Sequence, residues 1–243
     1  MARTVLIDAD ITIYKVASTN EEPTKFHNGL WVLWADEGKT KRDFDDAITN
    51  IVETTGADNY LLCLTSSSNF RKDILPSYKG NRKETRKPMM LPFLREYAME
   101  HHPHDIREGL EGDDLMGIYA TNPNNKGEFV IYSADKDMKT IPALLWDDTT
   151  SQPIKISEEE ADRWWLTQTL TGDATDGYKG LPKCGPVGAA KVLDDDCSWD
   201  AVLAAFIKAG LTEHEALQQA RVARILRYND YDLETNTVKV WTP

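Results

Sequence analysis

Three cysteines, Cys63, Cys184 and Cys197, are too few and too scattered to frame a fold with disulfides. Their odd number fits a reducing cytosol, and they lack the paired spacing of a zinc site. No apolar run approaches the ~18 residues of a membrane span. The opening MARTVLIDAD enters a strand pattern too early for a secretory leader. A cytoplasmic location is therefore expected. There is no phosphate-cradling GxxxxGK[ST] loop and no Ser-His-Asp or Cys-His arrangement for nucleophilic catalysis. The histidines of MEHHPHDIR read as a polar helix exit before Pro103 rather than as ligands. Positive charge is also scarce: 28 Lys and Arg stand against 40 Asp and Glu, a net charge of −12. On its own that sum argues against binding polyanions.

Distribution matters more than the sum. Residues 71–87 carry Arg71, Lys72, Lys79, Arg82, Lys83, Arg86 and Lys87 against only Asp73 and Glu84, a local balance of +5. With 243 residues, 41% of them hydrophobic and 28% charged, the chain has the composition of a globular protein with a full core.

Along the chain, residues 4–8 read as a buried strand and 11–19 as a helix. LWVLWA (30–35), between Gly29 and Gly38, reads as a β excursion. A helix over 43–54, the strand NYLLCLT, and a polar, basic, weakly periodic stretch from 66 to 88 follow. Helix resumes over 90–101, then a short strand near 105–107, an acidic helix over 111–121, and the strands FVIYSA and LLW (144–146). Ser157 and Glu160 form a capping box for the next helix. After Gly172 the pattern becomes helical, with a glycine-punctuated hairpin and two amphipathic helices over 198–228. Alternating α/β followed by helix predicts a mainly parallel sheet flanked by helices, with a helical C-terminal part. The expected division is an α/β core over 1–172, with a basic arm at 66–90, and a helical part over 173–243.

Carboxylates mark the ends of the apolar strands. Asp8 ends TVLIDAD, Asp135 and Asp137 end FVIYSADKD, Glu111, Asp113 and Asp114 open a helix, and Asp173 and Asp176 lie in GDATD. Strand ends of a parallel sheet are where open α/β folds place ligands. Many converging carboxylates repel and resist ionising unless cations sit among them. A helix start alone also favours acids, through its dipole, so Glu111 to Asp114 taken singly could be a solvated cap. Together the acids suit hard divalent ions, Mg²⁺ above all, with oxygen ligands. Two such ions about 4 Å apart can activate water and steady a leaving oxygen.

Two further motifs stand beside the acids. In ILPSYKGNRKETRK (74–87), Tyr78 among Lys79 and Arg82 offers a stacking face beside phosphate-seeking cations; the alternative is a solvated basic loop. In GLPKCGPVGAAK, Gly185 and Gly188 permit close backbone approach, and the amides opening the next helix, with Lys183 and Lys191 nearby, can hold a phosphate. The alternative there is a tight turn between packed helices. LIDADIT also fits the hhhDxDx[T/V] motif of haloacid-dehalogenase-type phosphatases, with Asp8 as nucleophile and Asp10 as acid/base, but that leaves the other motifs without a purpose.

Together these residues resemble the phage 5′→3′ exonuclease and flap-endonuclease family, kin to the 5′-nuclease domain of bacterial DNA polymerase I and to PIN-like proteins. The resemblance runs in order from about Val5 to Leu193. LIDAD is similar to the first family motif, FR…LPSYKGNRK to the arch, LEGDD to E-x-D-D, SADKD and GDATDG to the later acidic pairs, and GPVGAAK to the helix–hairpin–helix. The resemblance implies a metal-dependent 5′→3′ nuclease acting on DNA with a free 5′ end or 5′ flap, using two Mg²⁺ ions that Mn²⁺ can replace. It assigns Asp8, Glu111, Asp113 and Asp114 to one metal region, and Asp135, Asp137, Asp173 and Asp176 to the other. Lys79 and Arg82 would steady the scissile phosphate, with Tyr78 near the unpaired end. Arg71, Lys72, Lys83, Arg86 and Lys87 would contact DNA. Lys183, Gly185, Gly188 and Lys191 would grip duplex backbone, with a monovalent cation at the 183–191 hairpin. If the chain is viral, the host cytoplasm is its place.

Two departures stand out. The family's Asp after the strand before the arch is absent from Leu64-Thr65-Ser66-Ser67-Ser68, and Asp10 is an added acid that fills that gap or supports its neighbours. Other readings from the same residues are a PIN-like ribonuclease and a non-catalytic binder of flap DNA.

Overall fold

The computed structural model describes residues 2–81, 86–147 and 152–243. The chain opens with β1 (Arg3–Asp8), α1 (Ala9–Thr19), β2 (Glu22–Lys25) and β3 (Trp31–Trp34). Next come α2 (Glu37–Thr55), β4 (Asn59–Cys63), a single turn α3 (Arg71–Ile74), α4 (Leu91–His101) and β5 (His104–Asp105). The second half runs through α5 (Gly112–Ala120), β6 (Glu128–Tyr132), β7 (Leu144–Trp146), β8 (Ile154–Lys155) and α6 (Glu158–Thr171). It ends with α7 (Pro186–Leu193), α8 (Trp199–Lys208), α9 (Glu213–Ala223), β9 (Tyr231–Asp232) and β10 (Thr237–Val238).

Among the described residues, six strands form the central sheet in the order β5-β4-β1-β6-β7-β8. All neighbours pair parallel except β7 with β8. The strand β1 is buried on both faces, as its unbroken VLI run requires. Val5 and Ile7 join Ile13, Phe44 and Leu94 in one cluster, while Leu6 joins Leu115, Ile131 and Leu226 in the other. This is the period-2 alternation of a strand between two layers. A third cluster, with Trp165, Leu170, Leu193 and Phe206, is built by α6 to α9.

From β1 the chain moves to β4 and β5 on one side, then returns to β6 and β7 on the other. The topological switch point therefore lies between β1 and β6, the crevice where such sheets bind ligands.

Three sequence expectations change. The helix expected over 43–54 starts earlier, at Glu37, because Asp36 caps it by accepting from Lys39 N. The weakly periodic arm holds α3 and a turn, with Tyr78 N donating to Leu75 O at 2.9 Å, rather than open coil. The C-terminal part is not all helical: β9 and β10 pair, and Tyr231 packs with Leu6 and Leu115.

Candidate metal and nucleic-acid site

Asp8 closes β1 and caps α1, accepting from Ile11 N at 3.1 Å. Its other oxygen accepts from Ser133 Oγ at 2.8 Å, and the same hydroxyl accepts from Asp135 N at 3.0 Å. One serine thus ties the ends of β1 and β6 together at the switch point. Asp135 in turn accepts from Asp137 N at 2.8 Å, an Asx turn that sets the two carboxylates beside one cavity. Glu111 and Asp113 arrive on the start of α5, which fits only because residue 112 is glycine. A Cβ there would stand 2.8 Å from the Cys63 carbonyl oxygen at the end of β4.

The last pair sits in the loop after α6. Gly172 and Gly180 cross so closely that a Cβ on Gly172 would lie 2.4 Å from the carbonyl carbon of Lys179. Inside that pinch Asp173 folds the loop, accepting from Thr175 N at 2.7 Å and Asp176 N at 3.2 Å. The arm docks on the same loop. Lys79 N donates to Asp176 O at 2.7 Å, and Asn81 Nδ2 donates to Ala174 O at 3.0 Å. The acidic and basic motifs are therefore one site.

Cations already balance part of the charge. Lys79 Nζ donates to Glu111 Oε1 at 2.5 Å and lies 3.6 Å from Asp176 Oδ2. Lys136 Nζ donates to Asp173 Oδ2 at 2.8 Å. Burial pushes Glu111 upward, but Arg71 and Lys79 outweigh it and hold its carboxyl below the usual range. Asp173 is likewise lowered: burial raises it, and Lys136 with two backbone N–H groups overcomes that. Asp8, Asp137 and Asp113 shift the other way. Burial, aided by Asp10 and Asp135, pushes Asp8 up to about 6. Burial and Asp135 push Asp137 up to about 7. Asp113, recessed against Asp8 and Glu111, is raised well above the ordinary value, first by burial and then by Asp8.

As placed, no three described acids converge tightly enough to grip one ion; lysines balance part of the set instead. The donor chemistry nonetheless suits hard divalent cations: oxygen ligands only, and more carboxylates than the two lysines can neutralise. A cavity of about 400 Å³ opens between Asp135, Lys136, Asp137, Asp173 and Asp176. Beside it a groove of about 780 Å³ runs past Lys15, Lys72, Lys79, Arg86, Lys87 and Arg95.

Three expected site residues belong to the fold instead. Asp114 is sealed: Arg71 Nη1 and Nη2 donate to its two oxygens at 2.8 and 2.7 Å. It also accepts from Glu111 N at 3.0 Å and Leu226 N at 3.1 Å. With its lone pairs taken, it is no metal ligand. Arg71, expected at DNA, is 2% exposed and also donates to the carbonyls of Val222 and Arg224. Tyr78 is buried in the helical cluster, its hydroxyl bonded to Glu111 and Asp176 at 3.0 Å each. It supports the acids rather than stacking on an unpaired end.

Lys72, Arg86 and Lys87 are exposed and line the groove. Arg82 and Lys83 lie outside the described residues. Lys183 and Lys191 are exposed around α7, Gly185 caps that helix facing open space, and Gly188 packs on Cys184 Sγ.

Asp10 gains a role. Its oxygens accept from Thr65 N at 2.8 Å and Arg95 Nη1 at 2.7 Å, while Arg95 also donates to Thr65 O. It anchors the segment where the family acid is missing. Tied to Arg95, it is not the free acid/base a phosphatase needs beside Asp8. The sequence reading missed Arg95 and Lys136. Arg95 reads as an ordinary polar position of α4, whereas Lys136, flanked by Asp135 and Asp137, could have been found from its place in SADKD.

This arrangement of acids, switch point and groove defines a family of nucleases. Residues 3–162 match the model of the 5′-3′ exonuclease N-terminal resolvase-like domain, and the chain belongs to that family. It is 33% identical to the exodeoxyribonuclease of Enterobacteria phage T3, over 98% of this chain and 92% of that protein. It is 32% identical to the exonuclease of Escherichia phage T7, over 98% and 93%. The fold is similar to that of the T5 D15 protein co-crystallised with metal ions, with a TM-score of 0.70 at 14% identity, covering 91% and 89% of the two chains.

Proposed function

We propose that the chain is a 5′→3′ exodeoxyribonuclease that depends on divalent metal ions, Mg²⁺ above all, with Mn²⁺ as a substitute. The observation that carries this reading is the union of two things at one switch point: a set of carboxylates gathered at the strand ends, and a cationic groove docked on it through Lys79 and Asn81. Named exonucleases related over nearly the whole chain favour an exonuclease over a flap cutter.

Asp8, Glu111 and Asp113 would hold one ion, and Asp135, Asp137, Asp173 and Asp176, which line one cavity, a second. Bound there, such ions supply an activated water and offset charge on the phosphodiester. The chain's own groups do the rest. Lys79 keeps its proton, since Glu111 and Asp176 outweigh the burial that would remove it, and is placed to meet a phosphate oxygen. Lys136 holds Asp173 as a carboxylate, a partner that an ion bound there would replace. Arg86, Lys87 and Lys15 line the path of the 5′ strand. Lys183, Gly185, Gly188 and Lys191 grip duplex backbone, with a monovalent cation at that turn as part of the same reading.

A cleavage time course on blunt and 5′-flap duplexes, labelled separately at each end and run in Mg²⁺ or in EDTA, tests this. Stepwise Mg²⁺-dependent release from the 5′ end is expected. Release from the 3′ end, or equal cleavage in EDTA, contradicts it.

A further inference from the structure

Between α1 and α2 the chain leaves the sheet for the β2–β3 hairpin, paired from Glu22 with Trp34 to Lys25 with Trp31. Phe26, Leu30, Trp31 and Trp34 expose 51%, 55%, 61% and 45% of their surface. Among the described residues no third strand joins the ribbon. An isolated two-stranded hairpin is marginal in water, so large exposed apolar side chains on one point to a ligand.

Two features choose that ligand. The hairpin is fastened to the groove at its root. Glu21, just before β2, accepts from Arg86 Nη1 at 3.0 Å and Nη2 at 2.6 Å, and from Met89 N at 2.5 Å. Arg86 is part of the groove wall. A four-residue strand reaches only ~13 Å, so the tip stays near a strand leaving that groove. The second feature is Lys25, whose Nζ lies 5.5 Å from the centre of the Trp31 ring. A ring with a cation at its side stacks a base and meets the adjacent phosphate. Protein docking fits less well. Successive strand residues face opposite ways, so Trp31, opposite Lys25, lies on one face, while Trp34 lies with Val32 on the other.

We propose that the β2–β3 hairpin is a stacking platform for single-stranded DNA at the 5′ side of the groove, with Trp31 as the stacking face and Lys25 as the phosphate contact. This rests on the nuclease reading above.

The test compares wild type, Trp31→Ala and Trp31→Phe. Binding of labelled oligodeoxythymidine of about ten nucleotides, the scale of a single-strand site, is measured in EDTA. Cleavage of blunt duplex is measured in Mg²⁺. Trp31→Ala weakens oligonucleotide binding about tenfold, near the low end of one lost base stack, and Trp31→Phe restores most of it. Wild-type oligonucleotide affinity in Trp31→Ala overturns the proposal and leaves the hairpin to a protein partner. Equal losses in Trp31→Ala and Trp31→Phe overturn it as well. If the wild type cuts no DNA, the nuclease reading falls, while the binding comparison in EDTA still decides the platform.

Discussion

Arg71 and Lys79 come from one short segment and reach the same helix start, where they pair with Asp114 and Glu111. The first pair is sealed, its side chains 2% and 0% exposed, while Lys79 keeps 18% of its surface open beside the cavity. Arg71 spends its fork on Asp114 and two backbone carbonyls of the C-terminal helices. It joins the arm, α5 and α9. Lys79 meets Glu111 and Asp176 with a single ammonium, which a phosphate or a metal ion can displace. Two basic residues and two acids of one motif thus divide between holding the fold and serving the reaction, and solvent access decides which is which.

Substitutions on either side should separate these roles. Asp135→Asn, in the open set, should lower cleavage by about 10³-fold or more, the scale of losing a preorganised electrostatic contact. Its denaturation midpoint and duplex binding should stay close to wild type in filter-binding and urea experiments. Asp114→Asn takes from a buried guanidinium the carboxylate it clasps with both nitrogens, leaving only Glu111 at 3.4 Å, and should cost about 3 kcal/mol of stability, read from chemical denaturation. Lys79→Ala should slow cleavage about 10²-fold while costing less stability than Asp114→Asn, because Arg71 and Tyr78 still face Glu111. Equal losses in rate and duplex affinity would reduce Lys79 to a generic phosphate contact. Smallest is Lys191→Ala on α7. Duplex binding should weaken modestly, and its slope against log salt should fall by about 0.9, one phosphate contact.

The same division explains what could be read from the chain. Strand ends and acids were legible, because a buried parallel strand must be apolar and a carboxylate after it must sit at the sheet edge. Asp8 and Asp135 follow that logic directly. The capping box at Ser157 and Glu160 was equally plain, being local. Arg71 was not, because a basic residue in a basic run looks solvated. Only its long-range bonds to Val222 and Arg224 reveal a core position. Tyr78 misled for the same reason, its burial coming from α6 to α9 far along the chain. Asp114 shares its motif with Glu111, and no local pattern tells which of the two Arg71 will claim. The β9–β10 hairpin escaped because two-residue strands carry no periodicity.

The division of the acids is tested most directly by calorimetric titration of Mn²⁺ into wild type, Asp8→Asn, Asp135→Asn and Asp114→Asn, at a temperature where each is folded. Asp8→Asn and Asp135→Asn should lose or strongly weaken ion binding, while folded Asp114→Asn should bind as wild type does. Loss of ion binding in Asp114→Asn, with binding retained in Asp8→Asn, would contradict that division.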